Sequence, residues 1–508
     1  MVPSFSPSSD PRGWRLACGS ALCALLVVAY GLLSVLQPLP EGLPERWLPL
    51  IGSSRYARPP PWPAVEWNVW DGWRGCLHLQ VCLYAAFLAA SRVARGFGRS
   101  VAETRNARPL LIVGVFYSVV LRGILGTMLS VSAAVVLWLA SVMLPRRLLV
   151  PVAWVYVLLL MQAVFVFLTA DSSEELCLLQ RVVPSLAALP FPLGVRGAAE
   201  WSTFRYDALR LISFAADTSQ GSPAANLEMF LAYNFYPPLQ PVGPIIGFEA
   251  FAAQLRTPKV WPRRQLALYI CRTFALGLLL EASLHFLYFP AWFGPRAQES
   301  QLLAMHPLQL LGAAHWTLHF EWLSLMVIWR VPRSVALLDG IEVPEDMPGS
   351  ITLARSFRDL WRLWHASLNL WAVEYIYRPL GGRRRQWLSV PATFLFIVFW
   401  HDVRGFGDRP WWYAWAMLNS LGLMLESLAL GRASLRELPL LRSAAGSMVA
   451  MIGLTAANLP ALVYDRSLAV LKGAFFSPDS WSALVAVAAV AMAAALLDGP
   501  PKLRDLSW

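Results

Sequence analysis

The chain has 508 residues, of which 57% are hydrophobic and only 14% charged, and its mean hydropathy is +0.50. This composition excludes a string of soluble domains and predicts an all-α, multi-pass membrane protein. The net charge of +11 indicates membrane orientation and attraction to anionic lipid rather than nucleic-acid binding. The six cysteines show neither metal spacing nor a disulfide framework, and we expect no metal and no cofactor.

Residues 1–75 predict one membrane helix followed by a lumenal loop. The apolar run from Trp14 to Leu36 is longer than the roughly 7–15 residues of a signal-peptide core, so we expect an uncleaved helix with a cytosolic N-terminus. Residues 38–75 are rich in Pro and Trp, and Pro interrupts helices. Residues 76–508 then form a second unit, which we interpret as the functional membrane domain.

Apolar runs continue through this second unit and predict about eleven membrane-crossing or re-entrant elements in the whole chain. The run from Leu110 to Leu144 is too long for one span, so Arg122-Gly123 is expected to divide it or to leave a long tilted helix. The other predicted spans are Cys76–Ser91, Leu148–Thr169, Leu266–Phe289, a run ending at Trp329 before Arg330-Val331-Pro332, Leu388–Trp400, Trp412–Leu430, Ser443–Tyr464 and Trp481–Leu497.

From Phe191 to Ala253 the apolar pieces are short and interrupted by Tyr236-Pro237-Pro238 and Gly243-Pro244. Irregular backbone at membrane depth is tolerated only inside protein or beside a wet cavity. The pattern therefore favours re-entrant segments around an internal chamber, and the alternative is an ordinary peripheral loop.

Two pairs of polar residues recur at helical spacing in the following runs. Glu281 and His285 lie one turn apart, which favours a structural pair facing the bundle over a catalytic one. His315 and His319 are spaced likewise, but the inner Glu of the H-E-x-x-H zinc motif is missing, so a metal site is a weak alternative.

The stretch from Ser356 to Asp402 concentrates the polar residues that need explanation. It predicts an aromatic, basic helix containing His365, a tight turn at Pro379–Gly382, a cluster of arginines, and an apolar run that ends on His401. If the arginines mark the cytosolic surface, His401 lies about 20 Å into a hydrocarbon core of about 30 Å. The alternative is a short or tilted run that leaves His401 at the far interface.

Four passages of this sequence resemble the membrane-bound O-acyltransferase (MBOAT) family, specifically its glycerol-uptake-protein branch, which is related to hedgehog acyltransferase. They are YPPLQPVGPIIGFEAF, ALLDGIEVPEDMPGS, FRDLWRLWHASLNLWAVEYIYRPLGG and FLFIVFWHD. Continuous similarity covers roughly residues 200–405, which we take as the core of the domain. The resemblance implies transfer of a fatty acyl group from acyl-CoA to a hydroxyl or amine through a channel across the membrane.

The family's essential histidine falls on His401, and its second polar position, which is Asn, Asp or His in different members, falls on His365. A neutral imidazole suits proton removal from an attacking hydroxyl near neutral pH. We therefore expect His401 to act as general base and His365 to orient the acceptor or the thioester, or to polarise its carbonyl. Asp402 is adjacent to His401 and is included in the candidate site.

Basic and aromatic residues complete the candidate substrate site. Arg378, Arg383 and Arg384, with Arg385 beside them, suit the phosphates of acyl-CoA, although the positive-inside rule explains them equally well. Trp361, Trp364, Trp371 and Trp400 either line an acyl tunnel or serve as packing and interfacial anchors.

The branch resemblance implies an endoplasmic reticulum enzyme whose acceptor is a lyso-glycosylphosphatidylinositol (lyso-GPI) lipid, with a lysophospholipid or a protein terminus as other acceptors. A glycerol or polyol transporter is the alternative outside the enzyme class, because interrupted helices and buried polar residues are also transporter features. A catalytically silent regulator is the third reading, and the presence of both His365 and His401 argues against it.

Overall fold

The computed structural model describes residues 77–95, 107–169, 197–286, 299–349, 356–402, 410–430, 456–460 and 467–482, with positions 351, 354, 453 and 485. Over these residues the chain is helical and contains no strand, as predicted. The predicted first helix, the Pro/Trp-rich loop and most of the last two apolar runs lie outside the described residues.

In chain order, one set of helices precedes residue 260 and a second set follows it. The first comprises α1 (Leu77–Arg95), α2 (Ala107–Met143), α3 (Arg146–Thr169), α4 (Gly197–Ser219), α5 (Leu227–Asn234) and α6 (Phe248–Arg256), with a 3-10 turn at Pro237–Leu239. The second comprises α7 (Arg263–Phe286), α8 (Glu299–Leu303), α9 (Pro307–Leu338), α10 (Phe357–Leu363), α11 (Ala366–Ala372), α12 (Gln386–His401), α13 (Pro410–Leu430) and α14 (Ser467–Phe475).

Three helices of the described part are long and apolar enough to cross a membrane, namely Ala107–Met143, Arg146–Phe165 and Arg263–Ser283. They expose large apolar side chains such as Ile112, Leu159 and Phe274, which only lipid would cover favourably. The longest of the three, α2, is interrupted at Gly123, whose φ of 80° no β-branched or bulky residue would adopt without strain. The sequence predicted either a division at Arg122-Gly123 or one long tilted helix, and the interruption within α2 lies at this position.

The segment predicted as short, interrupted pieces begins instead with the continuous helix α4, which packs against α2 and α3. Its side chains from residue 203 to residue 216 are buried with the exception of Arg205, so interior packing stabilises this helix despite its polar residues. The irregular part follows as predicted, and it is not a peripheral loop: Tyr236 is fully buried and its hydroxyl donates to Asp339 Oδ2 at 2.9 Å.

Helix α9 also differs from expectation, because it continues through Pro332 to Leu338 rather than ending at Trp329. The basic residues at the expected end of the run are paired within the protein. Arg330 Nε lies 2.9 Å and Arg333 Nη1 3.4 Å from the carboxylate of Glu345. Tertiary pairing therefore overrides the local end signal.

A buried ionic cluster joins α2, α4 and the segment after α5. Asp207 accepts from Arg122 at 2.6 Å, from Arg210 at 3.0 Å and from the hydroxyl of Ser130. Arg210 also donates to the backbone oxygen of Leu239. Charges at this depth are stable only when paired, so the cluster fixes the register of the three segments.

Replacing Asp207 with Ala should lower the free energy of unfolding by about 3–5 kcal/mol, because two buried guanidinium groups lose their counter-ion. Thermal unfolding in detergent measures the change. The matched control is Glu228→Ala, which breaks the exposed Arg108–Glu228 pair and should leave the free energy of unfolding nearly unchanged. Equal losses in the two variants would contradict the structural role assigned to Asp207.

A second prediction concerns the close approach of α2 to the chain after α5. A Cβ on Gly114 would lie 2.0 Å from the carbonyl oxygen of Phe235, so Gly114→Ala must separate the two backbones and should markedly lower the unfolding temperature. The matched variant Gly277→Ala meets nothing nearer than 3.8 Å and should be neutral or slightly stabilising in its helix. Unchanged unfolding of Gly114→Ala would contradict this packing.

Candidate active site

His365 does not lie inside a helix, as the sequence suggested, but at the break between α10 and α11. It has φ 43° and ψ 51°, and it is the one non-glycine residue with positive φ in the described part of the chain. A left-handed residue there costs of order 1–3 kcal/mol and persists only where surrounding contacts enforce it. The break turns the imidazole into the protein interior, where it is buried.

The His365 imidazole is held by a carboxylate and by an aromatic ring. Its Nδ1 lies 2.9 Å from Asp346 Oδ1, and Asp346 is 1% exposed. The ring of Trp329 stacks on the imidazole with the centroids 4.0 Å apart and the planes 27° apart. A carboxylate oxygen that is ionised can only accept, so Nδ1 carries the proton in this contact and Nε2 is the atom left for chemistry.

His401 is the last residue of α12, as predicted, and Asp402 follows as the helix C-cap. The His401 Nδ1 lies 2.8 Å from the carbonyl oxygen of Ile397, one turn earlier. Because a carbonyl has no proton to donate, Nδ1 is the N–H and the neutral ring has its lone pair on Nε2. Trp412 of α13 stacks on the His401 ring, with the two ring centroids 5.0 Å apart.

Trp400 brings the two histidines together. Its ring centroid is 6.3 Å from His365 and 4.8 Å from His401, and its indole N–H donates to the backbone oxygen of Arg205 at 2.8 Å. The Arg205 guanidinium lies 5.2 Å from the Trp400 ring centroid and donates to the His401 carbonyl at 3.1 Å. Helix α4 thereby fixes the end of α12 beside the α10–α11 break.

The other three predicted tryptophans serve packing. Trp371 donates to the Ser213 hydroxyl at 2.8 Å and stacks with Phe396, within the core around α4. Trp361 packs edge-on against Trp415 at 5.5 Å. Trp364 is the partly buried C-cap of α10, packed between two apolar clusters. Contact with an acyl chain therefore remains a prediction for all three.

The predicted basic residues lie at the other end of α12 from His401. The turn before them follows the prediction, with Gly381 at φ 104°. Arg378 pairs with Glu374, and Arg383, Arg384 and Arg385 are exposed. A helix of 16 residues separates these arginines from His401 by about 24 Å at 1.5 Å per residue. They cannot contact the reacting atoms, and only a long donor could touch both ends.

The remaining polar pairs lie apart from this site. His319 Nδ1 lies 2.9 Å from the backbone oxygen of His315, and the two rings are 4.2 Å apart. The described residues contain no group of three or more metal-type ligands. Glu281 is partly buried on α7, and the side chain of His285 lies outside the described residues.

Asp346 is the site residue that the analysis of individual residues missed. It lies in the loop after α9, within the passage ALLDGIEVPEDMPGS that was noted only for its resemblance. An Asp in a loop is ordinarily solvated, and nothing in its spacing from His365 indicates contact. The signal available was that acidic residues cluster in the loop leading into the histidine segment.

Comparison with known proteins shows which family this chain resembles in sequence. The profile of the MBOAT, membrane-bound O-acyltransferase family matches residues 147–451. Membrane-bound O-acyltransferase gup1 of Schizosaccharomyces pombe is 34% identical over 212 residues, which are 40% of this chain and 33% of that protein. Membrane-bound O-acyltransferase GUP1 of Saccharomyces cerevisiae is 36% identical over 179 residues, 35% of this chain and 31% of that protein.

A mouse relative aligns over a longer stretch. Protein-cysteine N-palmitoyltransferase HHAT of Mus musculus is 27% identical over 395 residues, 74% of this chain and 72% of that protein. The match to the two yeast proteins covers only about a third of their length. The family profile, however, covers more than half of this chain and includes both histidine segments. The chain therefore belongs to the membrane-bound O-acyltransferase family.

Proposed function

We propose that this chain transfers a long-chain fatty acyl group from acyl-CoA to a hydroxyl of a lipid acceptor in the endoplasmic reticulum membrane. One observation carries the proposal. Two histidines from separate segments meet at Trp400, and each directs its Nδ1 to an oxygen acceptor, so that each presents Nε2. Two imidazoles in one site, one buried and one half-buried, suit proton transfer during acyl exchange.

His401 is the general base in this mechanism. Its neutral Nε2 accepts the proton of the acceptor hydroxyl as the oxygen bonds to the thioester carbonyl carbon. The tetrahedral intermediate then collapses, the C–S bond breaks, and His401 returns the proton to the thiolate of CoA. Free CoA and the acylated lipid leave, and the base is regenerated. The contact to Ile397 supports this assignment because it fixes the tautomer.

The exposed arginines near α12 suit the phosphates of the donor. CoA carries its thioester at the end of an extended pantetheine arm, away from its charged nucleotide. Phosphates at Arg378, Arg383 and Arg384 would leave the thioester free to reach along α12 toward His401. In this arrangement the arginines lie at the cytosolic face, and the length of α12 sets the distance that acyl-CoA must span between its phosphates and its thioester.

The acceptor is proposed from the branch that the sequence resembles, where a lyso-GPI lipid is reacylated. A lumenal acceptor and a cytosolic donor need a base within the membrane that both can reach. The short α12, which starts beside surface arginines and ends on His401, supports such a position. A lysophospholipid would use the same chemistry.

A protein acceptor is the second candidate. The alignment with the mouse protein, named as a protein-cysteine N-palmitoyltransferase, spans nearly three quarters of both chains. An amine attacking a thioester needs the same proton removal as a hydroxyl. The transporter reading has weaker support, because the relatives' names describe acyltransferases and the paired histidines have no evident transport role.

The test is acyl transfer by the full chain in proteoliposomes supplied with labelled palmitoyl-CoA. Separate reactions contain a lyso-GPI-type glycolipid, lysophosphatidylinositol, or a peptide with an N-terminal cysteine. Label in either lipid supports the proposal, whereas label in the peptide alone replaces it with the protein-acceptor candidate. Polyol uptake by the same vesicles without any acyl transfer would overturn the enzyme assignment.

His401→Ala should lower turnover by about 10²–10⁴-fold in this assay, because the acceptor hydroxyl loses its base. The matched control is His306→Asn, since His306 caps α9 by accepting from the Leu308 N–H and Asn can do the same. The control should keep its activity. Transfer that persists in His401→Ala, with the protein folded, would contradict the assignment of the base.

A further inference from the structure

The two site histidines lie in opposite electrostatic surroundings. His365 contacts the buried carboxylate of Asp346 at 2.9 Å. His401 instead contacts a neutral carbonyl, and its own backbone accepts from the Arg205 guanidinium at 3.1 Å. An anion favours a cationic imidazole, whereas a nearby cation favours a neutral one. Two titratable groups in such different environments take different roles in acid–base chemistry.

We propose that Asp346 holds His365 as an imidazolium, and that its Nε2–H stabilises the oxyanion which develops on the thioester carbonyl during acyl transfer. The catalytic half of this inference rests on the proposed function. The charge of His365 does not, because it follows from contacts within the chain. Asp346 acts through His365 and is therefore a positioning residue.

The burial of Asp346 supports a charged partner. Its Oδ1 accepts from His365 Nδ1 and from the Ser367 N–H at 2.9 Å, but its Oδ2 is buried with no hydrogen-bond partner among the described residues. With a neutral imidazole the buried pair would carry a full negative charge, which is expensive in a medium of low polarity. With an imidazolium the pair has no net charge.

The aromatic ring on His365 favours the same state. Trp329 lies nearly face-on at 4.0 Å between centroids, and a cation over an indole face is attracted by the ring's negative face. Among the charged and titratable groups around the site, Arg330 and Arg333 pair with Glu345. The Arg205 guanidinium lies 5.2 Å from the Trp400 ring centroid, and Tyr206 packs edge-on against that ring.

The loop that carries Asp346 is anchored at two residues that precede it. Glu342 bonds through its backbone N–H to Gln254 at 2.6 Å and through its carboxylate to Trp261 at 3.1 Å. Glu345, next to Asp346, binds Arg330 and the Tyr269 hydroxyl, both within 3 Å. These contacts reach α6, α7 and α9, so the carboxylate of Asp346 is placed by the body of the protein.

Asp346 also secures the backbone of the residue it faces. Its backbone oxygen accepts from the Ala366 N–H at 2.8 Å, and its carboxylate accepts from the Ser367 N–H. Three hydrogen bonds from one residue thus surround the left-handed His365. A conformation of this kind, over-determined by its surroundings, is typical of residues held for function.

The two histidines then have separate roles in the reaction, and each ends the catalytic cycle in the protonation state in which it began. His401 takes the proton of the acceptor hydroxyl and later delivers it to the CoA sulfur. His365 keeps its proton throughout and donates a hydrogen bond from Nε2 to the carbonyl oxygen. That bond strengthens as the oxygen gains charge, and this is how a fixed donor accelerates acyl transfer.

The charge of His365 is tested by solid-state NMR of the full chain in lipid vesicles, with ¹⁵N in the rings of its seven histidines. At neutral pH the wild type should show an imidazolium with both ring nitrogens protonated. That signal should vanish in His365→Gln, which assigns it, and should become a neutral ring in Asp346→Asn. A neutral His365 in the wild type, or an imidazolium that persists in Asp346→Asn, would overturn the proposal.

Asp339→Asn is the matched control, because Asp339 is another buried carboxylate and accepts hydrogen bonds from Ser91 and Tyr236. It should lower thermal stability and leave the His365 spectrum unchanged. A general effect of removing a buried charge would instead alter the spectrum in both variants and count against the specific role of Asp346.

Kinetics test the catalytic half. Asp346→Asn should lower kcat by about 10²–10³-fold, the usual effect of losing one oxyanion donor, while KM for palmitoyl-CoA changes little. A normal kcat, or a loss confined to KM, would overturn the catalytic role. Absence of transfer by the wild type would overturn the proposed function, and the NMR spectrum would still decide the charge of His365.

Discussion

The structure depends on one constraint, which is that a charge inside an apolar body must have a partner. Three of the buried carboxylates in the described residues meet this requirement differently. Asp207 neutralises two arginines and joins three segments, and Asp339 accepts from Ser91 and Tyr236 to hold α1 and the irregular segment against the end of α9. Asp346 is paired with a histidine. The first two stabilise the fold, and the third lies in the candidate site.

This division explains how a chain with irregular segments keeps its site rigid. The break that turns the His365 ring into the interior belongs to neither α10 nor α11. It is held by Asp346 of the neighbouring loop, which is tied by ionic and hydrogen bonds to three helices. The His401 side of the candidate site is held by α4, through the contacts of Arg205 with Trp400 and His401. Packing of the core thus places both imidazoles.

The sequence predicted those features that a membrane or a turn imposes locally. The helical class, the break at Gly123 and the tight turn at Gly381 follow from apolar length and from backbone freedom. The predicted helix bounds were wrong where residues distant in the sequence determine the structure. Helix α9 continues past Trp329 because Arg330 and Arg333 form ion pairs with Glu345. Helix α4 is continuous because it is buried in the protein interior.

The candidate site shows the same limit. Motif resemblance identified His365 and His401 because they lie in recognisable passages. It gave no reason to select Asp346, which meets His365 only through the fold. The tryptophans illustrate the converse case. All four looked alike in sequence, yet Trp400 alone among them contacts both histidine rings, while Trp371 and Trp361 pack elsewhere.

The left-handed backbone at position 365 bears on which amino acids this site can use. Among residues other than glycine, that conformation is enriched in Asn, Asp and His. These are the three residue types that the family resemblance gives for the second polar position. Backbone geometry would then restrict the position to a short list of side chains before any requirement of catalysis applies, and every member of that list can form hydrogen bonds. Chemical variation among related enzymes at this point would be a choice among residues that fit the turn.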